Sequence, residues 1–134
     1  MSSNPADVVK AYFACVAAGN PEAVAGLFAE EAVLHNAAGT LHGAAAIKRM
    51  YENGLGPGVM QPRPRRLVVD GTKVAVEIDL LTGGNTVPLA DFFTVVDGKI
   101  TRLAIYSLTP TGGRLLDEVG IDPTKPSDPP RRDS

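Results

Sequence analysis

Val8, Val9, Tyr12, Phe13 and Val16 recur at spacings of three and four, so the segment from Asn4-Pro5 to Gly19 predicts a helix with one apolar face. Asparagine before proline is a helix start and glycine a stop, and Tyr12 falls in the middle of the inward face. Asn20-Pro21-Glu22 repeats the start signal, and Val24, Leu27 and Phe28 extend a second helix to about Ala29. Ala32 to Asn36 reads as a short strand and Gly39 to Gly43 as a loop. A third helix follows from Ala44 to Tyr51, with Ile47, Met50 and Tyr51 as its apolar side.

Beyond the glycine-rich stretch Gly54-Leu55-Gly56-Pro57-Gly58 the period changes to two. Arg66 to Val69 leads into Asp70-Gly71. In the next strand Val74, Val76, Ile78 and Leu80 alternate with Lys73, Ala75, Glu77 and Asp79. Gly83-Gly84-Asn85 is a turn, Thr86 to Val96 a long strand, Asp97-Gly98 a hairpin turn and Lys99 to Leu108 a last strand. Three helices followed by an antiparallel meander predict an α+β domain whose sheet curls around one apolar interior. The domain is expected to span residues 1–121, with 122–134, rich in proline and charge, as a flexible tail.

One residue breaks the pattern of the long strand. Strict alternation puts Asp91 on a face otherwise made of Val87, Leu89, Phe93 and Val95. A buried carboxylate needs a cation or a proton, and no cation alternates onto that face. A protonated acid donates a hydrogen bond, which is useful where negative charge develops on a ligand oxygen. A bulge near Pro88 would instead turn Asp91 to solvent, and an inward tyrosine such as Tyr12 also serves as a plain core residue. Together, an inward phenol and an inward acid have the composition of an oxyanion hole.

The 134 residues fit one domain, and a formal charge of −2 offers no cationic field for nucleic acid. No apolar run approaches the roughly 20 residues of a membrane helix, and the start MSSNPADVV lacks a secretion signal, so the cytoplasm is the expected compartment. Cys15 stands alone in an apolar helical stretch and is expected to pack. His35 and His42 have no cysteine or acid at metal-ligand spacing, and no nucleophile elbow, phosphate loop or dinucleotide fingerprint is present. Neither a metal nor a cofactor is expected.

The run VVKAYFACVAAGNPEAVAGLFAEEAVLHNAAG, then GAAAIKRMYENGL, closely resembles the amino-terminal half of bacterial ketosteroid isomerases of the nuclear-transport-factor-like, SnoaL-like fold. PLADFFTVVDGKI resembles the carboxyl half more loosely. The resemblance implies a curved antiparallel sheet packed with three N-terminal helices into a cone-shaped pocket, usually as a homodimer. It places the catalytic tyrosine on Tyr12 and the protonated acid on Asp91. Tyr51 becomes the tyrosine supporting the oxyanion hole from behind, and Tyr106 the aromatic wall. Phe13, Phe28, Val87 and Phe93 would complete the apolar lining around a small hydrophobic steroid, and Phe92 and Val96, on the opposite parity, would be covered by a second copy.

The departure is at the general base, where the family has an aspartate and AVLHNAAG places Asn36. A neutral amide takes no proton from carbon. A deliberate change from aspartate, a natural relative without isomerase activity and a substitute base all fit, and asparagine is also common before turns. His35, on the other strand face, is a poor substitute. The activity implied is steroid Δ-isomerisation through a dienolate, impaired by Asn36. The rivals are a non-catalytic steroid or polyketide binder, an epoxide hydrolase or cyclase of the same fold, the hydrolase requiring an arginine between two acids inside the pocket, and a dimerisation module without a cavity.

Overall fold

The computed structural model describes residues 4–107. Helix α1 (Pro5–Ala18) starts where the Asn4 side chain accepts the Asp7 N–H at 2.9 Å, and it buries the five residues of its apolar stripe, Tyr12 among them. It stops at Gly19, whose φ of +69° is left-handed and whose missing Cβ would lie 2.2 Å from the Gly56 carbonyl carbon. Only glycine permits both the turn and that close approach.

Helix α2 (Pro21–Ala25) is shorter than its periodicity suggests. The Leu27 carbonyl accepts the Ile100 N–H at 2.8 Å and Phe28 pairs with Ile100, so long-range pairing takes Leu27 and Phe28 out of the helix. Strand β1 therefore runs Phe28–Asn36, and the expected loop is β2 (Gly39–His42), which pairs back onto it with Asn36 opposite Gly39. Helix α3 (Ala44–Gly54) buries Ile47 and Tyr51 and continues one turn past Tyr51.

The remaining strands are β3 (Met60–Asp70), β4 (Lys73–Thr82), β5 (Asn85–Val96) and β6 (Lys99–Ser107). β3 begins well before Arg66 and carries Pro62 and Pro64. An edge strand tolerates these because one side of its backbone needs no partner. The sheet order is β2-β1-β6-β5-β4-β3, curved and unclosed, antiparallel except where β1 joins β6 in parallel. Asp97 and Gly98, at φ +52° and +76°, form the tight β5–β6 turn that an Asp-Gly pair predicts. Leu108 and the expected tail lie outside the described residues. No described helix is long and apolar enough to cross a membrane.

Helix α1 lies across β3, β4 and β5, while α3 lies against β1 and β2. The core between helices and sheet contains Leu34, Ile47, Val74, Ile78, Phe93 and Leu103. Toward one end the helices and the concave face of the sheet leave a cavity.

Candidate active site in the cone

Strand β5 presents Asp91 to this cavity. No bulge intervenes at Pro88, since β4 and β5 pair without a break from Lys73–Thr94 to Thr82–Asn85. Asp91 stands opposite Val76 on one side and Ile105 on the other, so its lateral neighbours on the inner face are aliphatic. It is 3% exposed, and its Oδ1 has no hydrogen-bond partner among the described residues. Burial raises its pKa from 3.8 to about 7, because no nearby cation repays the lost hydration of the carboxylate.

Tyr12 reaches the same cavity from α1 and Tyr51 from α3, and their hydroxyl oxygens lie 2.5 Å apart. Burial raises both phenols above their ordinary range. Tyr12 is raised further by the Tyr51 and Asp91 charges, whereas for Tyr51 the bond to Tyr12 partly offsets the rise. Each phenol therefore stays protonated and one of the two protons can serve a ligand. Edge-on contacts with Phe13, Phe28 and Phe93, at centroid distances of 5.2, 6.1 and 5.3 Å, hold the Tyr12 ring.

Asn36, at the end of β1, also lines the cavity. Its Oδ1 accepts the Ala38 N–H at 2.9 Å, closing the β1–β2 turn, and its Nδ2 faces the Met50 sulfur at 3.7 Å. His35 points elsewhere, its Nδ1 lying 2.9 Å from the Thr40 hydroxyl.

The cavity, about 340 Å³, brings together Tyr12, Phe13, Asn36, Tyr51 and Asp91 from the sequence-derived set. Phe28 and Phe93 do not line it. They pack against Tyr12 instead, and Val87 lies outside the lining toward the turn end of β5. Tyr106 requires a correction. Thr101 is an extra residue between the Thr94–Arg102 and Val95–Ile100 pairs, and this bulge reverses the inward parity along β6. Ile105 consequently faces the cavity, and Tyr106, 56% exposed, packs on Phe92 outside.

Sequence reasoning missed much of the apolar lining: Met50, Met60, Pro62, Ile78, Leu80 and Leu89. Ile78, Leu80 and Leu89 carried the signal of inward parity. Met60 and Pro62 carried none, because their segment lacks strand-like alternation. Every described arginine is exposed, so no guanidinium stands between acids in this pocket, and no group of three or more described metal-ligating side chains is placed to hold an ion.

An open α+β cone with an apolar pocket and a few convergent polar groups is the architecture of a small-molecule site. Residues 9–103 match the SnoaL-like domain, and the chain belongs to that family. No curated protein matches it. Among solved structures, a candidate ketosteroid isomerase from Kribbella flavida is 25% identical with a TM-score of 0.69, covering 78% of this chain and 77% of that one. A candidate polyketide cyclase from Sinorhizobium meliloti is 28% identical at 0.64, covering 74% and 93%. An NTF2-like protein of unknown function from Cytophaga hutchinsonii, 17% identical at 0.71 and covering 80% and 92%, shares the fold.

Proposed function

We propose that the chain is a protein of the steroid Δ-isomerase type. It binds a flat apolar ketone in the cone and converts 3-oxo-Δ5-steroids to conjugated 3-oxo-Δ4-steroids by proton transfer through a dienolate, at a rate held low by Asn36. The observation that carries this reading is Asp91, an unpaired acid on an aliphatic wall that shares its cavity with Tyr12. A neutral acid and a phenol donate to an oxygen on which charge builds as a proton leaves the adjacent carbon. Ketosteroid isomerases are a known case of this use of a neutral acid. Likeness to one chain named as a candidate isomerase and another as a candidate cyclase supports an enzymatic role.

A carboxylate at position 36 would take the proton from the carbon between carbonyl and double bond and return it farther along the ring system. The Asn36 amide does neither. The apolar lining excludes water from the dienolate, and the proton transfer requires no cofactor. The test is Asn36→Asp assayed by the ultraviolet absorbance of the conjugated enone, with a rise of about 10²–10⁴ expected for a positioned base.

A second reading, binding of a steroid or polyketide without turnover, is favoured by the engagement of the Asn36 oxygen with Ala38. Tight steroid binding by the Asn36→Asp protein without conversion selects it.

A further inference from the structure

The orientation of the Asn36 amide follows from a partner with only one role. The Ala38 N–H can only donate, so the side-chain oxygen faces it at 2.9 Å. The amide nitrogen is thereby turned to the Met50 thioether at 3.7 Å, and both residues line the cavity. A thioether is a weak acceptor, while a primary amide carries two N–H bonds. One of its N–H bonds is therefore left without a partner among the described residues, in a cavity whose lining is apolar apart from Asn36, Tyr12, Tyr51 and Asp91.

We propose that Asn36 is a specificity-determining donor, and that the ligand carries a second acceptor oxygen of the carbonyl class, bound by Asn36 Nδ2, besides the oxygen that meets Tyr12 and Asp91. The ligand class is thus an apolar ring frame with two oxygens, a dicarbonyl or keto-phenol. The inference rests on the reading of the cone as a site for a flat oxygenated ligand, and it means that, with Asn36 in place, a ligand carrying an oxygen at that edge binds in preference to a 3-oxo-Δ5-steroid, whose C–H edge would meet the amide. The physical reason is discrimination. A hydrocarbon edge against the amide leaves a desolvated donor unpaired, whereas a carbonyl there satisfies it, and sites built to hydrogen-bond an oxygen reject analogues that lack one. The same amide cannot act as a base, so it serves the site by selecting the ligand.

The experiment titrates 2-naphthol and its isomeric acetyl derivatives, with the acetyl group at successive ring positions, against the unmodified chain, Asn36→Asp, Asn36→Leu and Tyr12→Phe. The carboxylate of Asn36→Asp still accepts the Ala38 N–H, so the turn is kept while the donor is lost. The expected result has two parts. 2-Naphthol binds and weakens in Tyr12→Phe. At least one acetyl isomer binds the unmodified chain roughly three- to tenfold tighter than 2-naphthol and loses that gain in both Asn36 variants. If 2-naphthol binds with Tyr12 dependence but no isomer's gain depends on Asn36, the donor role is overturned and the cavity reading stands. Absence of any Tyr12-dependent binding overturns both.

Discussion

The hydroxyl of Tyr12 on α1 and that of Tyr51 on α3 lie 2.5 Å apart, although 39 residues separate them in sequence. Both rings are buried, so each hydroxyl satisfies the other where water does not reach. The bond ties the two helices together at the cavity wall and fixes where Tyr12 presents its oxygen.

Tyr51→Phe should therefore loosen Tyr12 without emptying the cavity. The substitution leaves the buried Tyr12 hydroxyl without its partner, which costs about 1–3 kcal/mol, and thermal or urea unfolding should register a loss of that order. Binding of 2-naphthol should fall a few-fold. If Tyr51→Phe leaves both unchanged, Tyr12 is held by its aromatic neighbours alone.

Asp91 makes stability depend on pH with a definite sign. Its folded pKa, about 7, lies above its ordinary 3.8, so the folded chain binds the proton more tightly than the unfolded one. Stability contributed by this group is full below about pH 4, declines as pH rises toward 7, and levels above it. Asp91→Asn removes the penalty. Its advantage should grow across that window to the order of 4 kcal/mol, read from urea midpoints at each pH. Parallel curves for the two proteins would refute the raised pKa. Asp91→Asn should also weaken 2-naphthol less than Asp91→Leu does, because the amide keeps a donor.

The Asn36→Asp protein should give a bell-shaped pH profile. Activity rises as the new carboxylate ionises and becomes a base. It falls as Asp91 loses the proton it donates to the dienolate, with the descending limb near pH 7. In the double variant with Asp91→Asn the descending limb should vanish at reduced peak rate. A descending limb that persists belongs to another group.

On the outer face of the sheet Phe92 and Tyr106 touch edge-on at 5.6 Å, with Val68 and Val96 also exposed. We expect a second copy to cover this face, because an apolar patch of this kind is costly in water. Sedimentation of the unmodified chain should give a dimer at micromolar concentration, and Phe92→Arg a folded monomer. A monomeric unmodified chain would refute the prediction.

Which face a residue occupies within one element was legible in the sequence. The stripe of α1 and the odd positions of β5 placed Tyr12 and Asp91 inward, because helix and strand periods are local properties of the backbone and a polar atom on an apolar face stands out. Turns at Asp97-Gly98 and the cap at Asn4 were legible for the same reason. What required the tertiary structure was pairing. The capture of Leu27 and Phe28 by β6, the β1–β2 hairpin and the extension of β3 through two prolines all depend on strands that meet only after folding. The Thr101 bulge shows the consequence most sharply: one extra residue, silent in the local pattern, exchanges Tyr106 for Ile105 at the cavity because side-chain facing has a period of two. The direction of the Asn36 amide likewise depends on the turn it closes, so its identity could be read from the chain, but the placing of its nitrogen against Met50 at the cavity lining could not.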